Sequence, residues 1–292
     1  MPEKEDFISR LQSICKTSAS FVAAKMGLGI IEHPTEIVIA QQQLNPKLTI
    51  VQATQSRYSE KGARGFYAGF PSNMAHMAIK SAYRAPMLCQ FPEFCKSKLP
   101  ETYYERYPYL PIMLTIPILS ALDTTITTPL SRIKNLQITG QINQGFWGTL
   151  KKTPVKELFR GYEAVGIQQV SGWTSFLVLD EASKYFLRKY HPDKPISNYE
   201  ILASSACIGV ALAIIDAPFG NLVLQSQKST PAAEKRSLAI LNQIIKQEGG
   251  TAVFAGWRGK VFQSVLNTCL VSVFREWVTN HEPPPSNGPK LR

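Results

Sequence analysis

The sequence predicts an all-α membrane protein of six transmembrane helices, built as three repeats of two long helices joined by a short amphipathic piece. Three observations predict it. Proline-containing helical runs recur three times, a second landmark follows each at a similar interval, and basic residues collect in three of the connections. Recurrence at a fixed period is the signature of a repeat architecture.

The proline runs are HPTEIVIAQQQ, TPLSRIKNLQ and APFGNLVLQSQ, and Pro34, Pro129 and Pro218 are spaced by 95 and 89 residues. A helix-interior proline removes a hydrogen bond and clashes with the preceding turn, so each should kink its helix. The second landmark is KGARGFYAG ending at Gly69, TPVKELFRG ending at Gly161 and EGGTAVFAG ending at Gly256, with Tyr67, Phe159 and Phe254 two positions before the glycine. The proline-to-glycine intervals are 35, 32 and 38 residues. The repeats are therefore placed at 1–100, 101–195 and 196–292, with 281–292 read as a disordered tail from its proline-rich, polar composition.

Taken in order, FVAAKMGLGII leads into the first kink, and the second helix carries His76, Lys80 and Arg84 at i, i+4 and i+8, a single basic stripe. YLPIMLTIPILSALDTTITTPL and SFLVLDEASKYF form the second pair of helices; SSACIGVALAIIDAPFGNLVL and VFQSVLNTCLVSVF form the third. Spanning a bilayer takes about 20 mostly apolar residues. LPIMLTIPILSALDTTITTPL and ACIGVALAIIDAPFGNLVL meet that length, with Asp123 and Asp216 as their only charges. The other runs are interrupted by Lys25, Lys80, Gln168 and Asn267, and a mean hydropathy of -0.08 fits helices that turn one face to water.

The net charge of +11 is unevenly placed. Residues 44–68, 138–160 and 228–255 carry +3, +3 and +2, whereas 97–107 and 188–198 carry 0 and +2. That is the positive-inside pattern, and it weighs against nucleic acid as the anionic partner. The five cysteines show no CxxC spacing, so neither a disulfide framework nor a zinc site is expected, and they are read as buried small apolar residues. Glu3, Glu5 and Asp6 argue against a secretory signal or transit peptide, so no cleavable presequence is expected. The four histidines lack metal-ligand spacing, and neither G-x-S-x-G nor a P-loop occurs, so no metal, no cofactor and no catalysis are expected. His33, just before the kink proline, is read as a structural polar residue.

Three repeats of about 100 residues, each with a proline motif P-x-[DE]-x-x-[KR] and a later glycine motif, resemble the mitochondrial carrier family over the whole chain. The resemblance implies six helices around a three-fold pseudo-axis, short matrix-side helices, termini in the cytosol and one central site with alternating access. It implies a multi-pass monomer of the mitochondrial inner membrane, in contact with the lipid bilayer and its anionic lipids on the matrix side. The proline motifs depart from the family pattern. Glu36, Ser131 and Gly220 stand two residues after the prolines and Ile39, Lys134 and Val223 five after, so Glu36 and Lys134 form the one matrix-gate pair that can close. Nine residues after each proline come Gln43, Ile138 and Gln227, where the family places a bracing glutamine.

On the even helices the resemblance implies a cytosolic gate, with Glu93 joined to Lys184 and Lys96 to Glu276, while Glu181 faces Thr279. One matrix pair against two cytosolic pairs implies that the resting protein favours a matrix-open state. The family's contact positions fall on His76 or Lys80, Gln168 with Gln169, and Gln263. Arg84, Asn267 and Lys25 complete the expected substrate-binding set. A basic stripe backed by amides suits an anion with hydrogen-bonding edges, so the expected substrate is a small anionic metabolite. A nucleotide such as ATP or ADP, or another phosphorylated or carboxylated compound, is preferred, carried by exchange (antiport). The alternative is a carrier-like membrane adaptor that no longer transports and instead recruits partners or remodels membranes.

Overall fold

The computed structural model describes residues 2–100, 103, 107, 110–142, 144–190, 197–228 and 237–281, excepting the side chains at 2–14, 89, 93, 112, 188, 198, 238 and 275–281. The expected tail beyond 281 and the side chains of Glu93, Glu276 and Thr279 thus lie outside the described residues. What is described is all-helical.

Eleven α-helices are described: α1 Pro2–Leu44, α2 Ile50–Lys61, α3 Phe70–Cys89, α4 Phe91–Lys98, α5 Leu110–Ile138, α6 Phe146–Lys152, α7 Val155–Leu158, α8 Tyr162–Tyr190, α9 Asn198–Lys228, α10 Ser237–Glu248 and α11 Trp257–His281. Local chemistry explains their ends. Thr49 and Gln52 form a reciprocal capping box that starts α2, and Gly62, at φ 60°, stops it. Short 3-10 turns at Ala63–Tyr67 and Gly250–Phe254 lead into the landmark glycines.

Those glycines share one backbone state, with φ of 73° at Gly69, 78° at Gly161 and 79° at Gly256. Each also lies against the following proline-containing helix, so a side chain there would be both strained and tightly packed. A Cβ at Gly161 would meet Ser226 Oγ at 2.7 Å, and one at Gly256 would meet Ile39 Cγ2 at 3.0 Å. The short-helix layer is thereby keyed to α9 and back to α1.

The six long helices close a ring. α1 packs on α3, α3 on α5, α5 on α8, α8 on α9, α9 on α11, and α11 returns to α1. Pro34, Pro129 and Pro218 lie inside α1, α5 and α9, and at the end beyond them Ile37, Ala40, Ile138 and Leu224 bring these three helices together in one buried cluster.

Burial is mixed, with many polar side chains inside beside the apolar clusters and many aliphatic ones outside. Glu32, His33, Asp123, Lys134 and Gln227 are buried, while Ile30, Ile31, Ile79, Met113, Ile118, Val170, Val178, Ile214, Ile215, Phe262 and Val273 are exposed. Cys15 and Cys207 are likewise exposed and Cys95 and Cys269 partly so, correcting the expectation that the cysteines are core residues. A thiol is small and apolar enough for either face of such a helix.

Among the described residues one helix, Tyr199–Lys228, is long and apolar enough to cross a membrane. The 110–130 stretch, expected to qualify as well, does not. Its threonines lower the hydropathy, yet Thr115, Thr124 and Thr128 return their hydroxyls to the carbonyls of Pro111, Ser120 and Thr124 on the same helix.

Candidate functional site

Next to the cluster where the kinked helices meet lies a cavity of about 200 Å³. Glu36, Thr127, Lys134 and Asn135 from the kinked helices line it, as do His76, Lys80, Gln168, Gln169, Lys260 and Gln263 from α3, α8 and α11. Five of the eight expected substrate residues therefore meet around one space: His76, Lys80, Gln168, Gln169 and Gln263.

Lys80 is the distinctive member. Among the described residues nothing is hydrogen-bonded or ion-paired to its ammonium, whereas the other two lining cations are both paired. Three further lining residues, Gln43, His76 and Thr127, hold a buried polar atom, Nε2, Nε2 and Oγ1, with no partner among the described residues. A buried polar atom left unpaired costs free energy, and a ligand that satisfies it regains that cost.

The remaining expected substrate residues are elsewhere. Arg84 does not line the cavity. Its guanidinium is committed to Asp123, donating from Nε at 2.9 Å and from Nη2 to the other oxygen, and it stacks 4.7 Å over the Trp173 ring. Asp123, fully buried, also accepts from Tyr83 Oη and Trp173 Nε1, both at 2.5 Å. This knot ties α3, α5 and α8 together, so Arg84 is a structural cation. Lys25 and Asn267 are also away from the cavity, joined to each other and to Glu32, which accepts from Asn267 at 2.5 Å and lies 3.7 Å from Lys25. A charge within a helix pair needs a partner, and these found theirs across helix contacts rather than across the cavity.

The expected contact between Glu36 and Lys134 is formed. Lys134 Nζ donates to Glu36 Oε1 at 2.5 Å, joining α1 to α5. The bracing glutamines act differently than expected. Gln227 does not touch that pair; it accepts from Asn135 at 2.6 Å and donates to Ser131 Oγ at 3.0 Å, joining α5 to α9. Gln43 accepts at its backbone carbonyl from Gln225 at 3.0 Å, joining α9 to α1. Amides and the apolar cluster thus join the three helices at this end, where motif charges are absent.

At the opposite end Lys184 is bound within its own helix, to Asp180 at 2.7 Å and Glu181 at 3.6 Å, and its expected partner Glu93 has its side chain outside the described residues. The Lys96–Glu276 pair rests on a side chain outside the described residues. His33 is fully buried: its Nε2–H donates to the Ala68 carbonyl at 3.1 Å, leaving Nδ1 to accept from Asn73 at 3.0 Å, with Glu36 Oε2 3.8 Å away.

Sequence reasoning missed Lys260 and its partner Asp216. Lys260 Nζ donates to Asp216 Oδ2 at 2.6 Å, and Gln168 Nε2 donates to the same carboxylate at 2.9 and 3.2 Å. A signal existed. Glu32 and Asp216 both stand two residues before a kink proline, a position outside the P-x-[DE] pattern.

No protein-family model matches the chain, and no curated protein matches it significantly.

Proposed function

We propose that this chain is a membrane transporter of the mitochondrial carrier kind, with six spans in three pseudo-symmetric repeats, that carries a small anionic metabolite through the central cavity by alternating access. The observation that carries the reading is Lys80, a lysine with no hydrogen-bond or ion-pair partner among the described residues, set in a cavity lined also by amides, apolar side chains and the paired Lys134 and Lys260. Attraction between such a cation and an anion is several-fold stronger in a partly desolvated site than in bulk water. The exposed aliphatic residues support membrane residence, since lipid takes the place of water around Ile30, Val178 and Ile214. The other five long helices carry polar residues that lower their mean hydropathy, and several of these, such as Lys80, Asp123 and Gln168, are buried or line the cavity.

The cavity is smaller than the roughly 300–1,000 Å³ of drug-sized ligand sites. A nucleotide would therefore enter a wider form than this one, in which the Glu36–Lys134 end is closed. Residence in the mitochondrial inner membrane and exchange as the mode of transport belong to the same proposal. The test is uptake of radiolabelled anions by liposomes holding the purified chain. Saturable uptake that Lys80→Ala abolishes is expected. No uptake of any carboxylate or phosphate metabolite would overturn the reading in favour of a non-transporting adaptor.

A further inference from the structure

Resting on the transporter reading, we infer that Lys260 is a second substrate cation, masked by Asp216, and that the cavity takes a substrate with two anionic groups, one on Lys80 and one on Lys260. Both lysines line the same cavity from different helices, α3 and α11. Their states differ: Lys80 is unpaired among the described residues, and Lys260 is held by Asp216.

Three observations make that hold releasable. The Asp216 side chain is 30% exposed, against 0% for Asp123 and 4% for Glu32, so of these three paired carboxylates it alone has ready access to water. It also has a second donor. Gln168 donates to both of its oxygens, so departure of Lys260 does not leave the carboxylate unpartnered. Arg84 has no comparable freedom, because it is stacked on Trp173 as well as bound to Asp123.

The third observation concerns Gly220, two residues after Pro218. A Cβ there would collide with the Lys260 ammonium and lie 3.6 Å from Gln168 Nε2. The glycine that stands in place of a motif acid is therefore the opening through which Lys260 reaches Asp216. A dianion arriving at Lys80 with its second group near α11 competes with Asp216 for Lys260, and Gln168 retains Asp216. The contacts made on binding differ from those at rest, as a ligand must arrange if it is to shift a conformational equilibrium.

The test uses the full chain in liposomes and two matched probe pairs, succinate against butyrate and ADP against adenosine, which separate a dicarboxylate from a diphosphate source of the two charges. For the dianion the wild type takes up, Lys260→Gln should raise KM at least about tenfold relative to that of the less charged probe. Lys260→Arg should keep most of the preference, and Asp216→Asn, which removes the competing charge, should lower the dianion KM. A Lys260→Gln protein with the wild-type KM ratio, or a wild type that prefers butyrate to succinate and adenosine to ADP, overturns the inference while leaving transport itself intact. A wild type that moves none of the four probes counts against the transporter reading first, and this inference falls with it.

Discussion

Reversing the charge at Lys134 should unlock the closed end of the ring. Lys134 Nζ lies 2.5 Å from Glu36 Oε1, with side-chain exposures of 11% and 24%, so the pair is mostly withdrawn from water. Removing one partner of a buried pair costs about 3–5 kcal/mol. The residual exposure of Glu36 favours the low end, about 3 kcal/mol, and at about 1.4 kcal/mol per factor of ten this shifts the open-to-closed ratio by about a hundredfold. The assay is labelling of Thr127→Cys, a cavity-lining position, in a background without native cysteines, by an impermeant maleimide applied from the side of α2, α7 and α10. Lys134→Glu should speed labelling at least about tenfold, since the amide links through Gln227 and Gln225 remain. The double swap with Glu36→Lys should slow it again. If labelling is unchanged in the single variant, or the swap labels as fast as the single, the pair is not a gate.

Lys80→Ala should reduce anion uptake by at least about tenfold while Lys80→Arg retains part of it, read from initial rates in liposomes; equal rates in all three would remove Lys80 from the site. Gly161→Ala meets both a left-handed backbone, at roughly 1–2 kcal/mol, and Ser226 Oγ, and should lower the Tm in detergent by at least about 3 °C. An unchanged Tm would mean the α8 start does not depend on this close approach. Asp123→Asn leaves Arg84 without its counter-charge, at about 3–5 kcal/mol, and alters the hydrogen bond from Trp173 Nε1, so it should both lower Tm and shift tryptophan emission. Unaltered emission together with unaltered Tm would show that the knot is not structural.

What the sequence determined by itself was periodic or local. The Glu36–Lys134 pair was expected from the family resemblance; the prolines inside the long helices, the left-handed glycines at 69, 161 and 256 and the alternation of long and short helices follow from spacing along one chain, because a proline or a glycine constrains its own backbone wherever it stands. The basic stripe was half legible for the same reason. Helical spacing places His76, Lys80 and Arg84 on one face, yet whether that face meets a cavity or a neighbouring carboxylate depends on the helix opposite. Only closure of the ring decided that Arg84 belongs to Asp123, that Lys25 belongs to Glu32 and Asn267, and that Lys80 is left unpaired among the described residues. It also decided that Lys260 fills the space Gly220 leaves and that amides close the end where charges are absent. Arg84 and Asp123 are 39 residues apart, Lys260 and Asp216 44, and Lys25 and Asn267 242. An ion pair at such separations is set by which helix faces which across a packed interface, and the energy of a buried charge depends on that partner far more than on its own position in the chain.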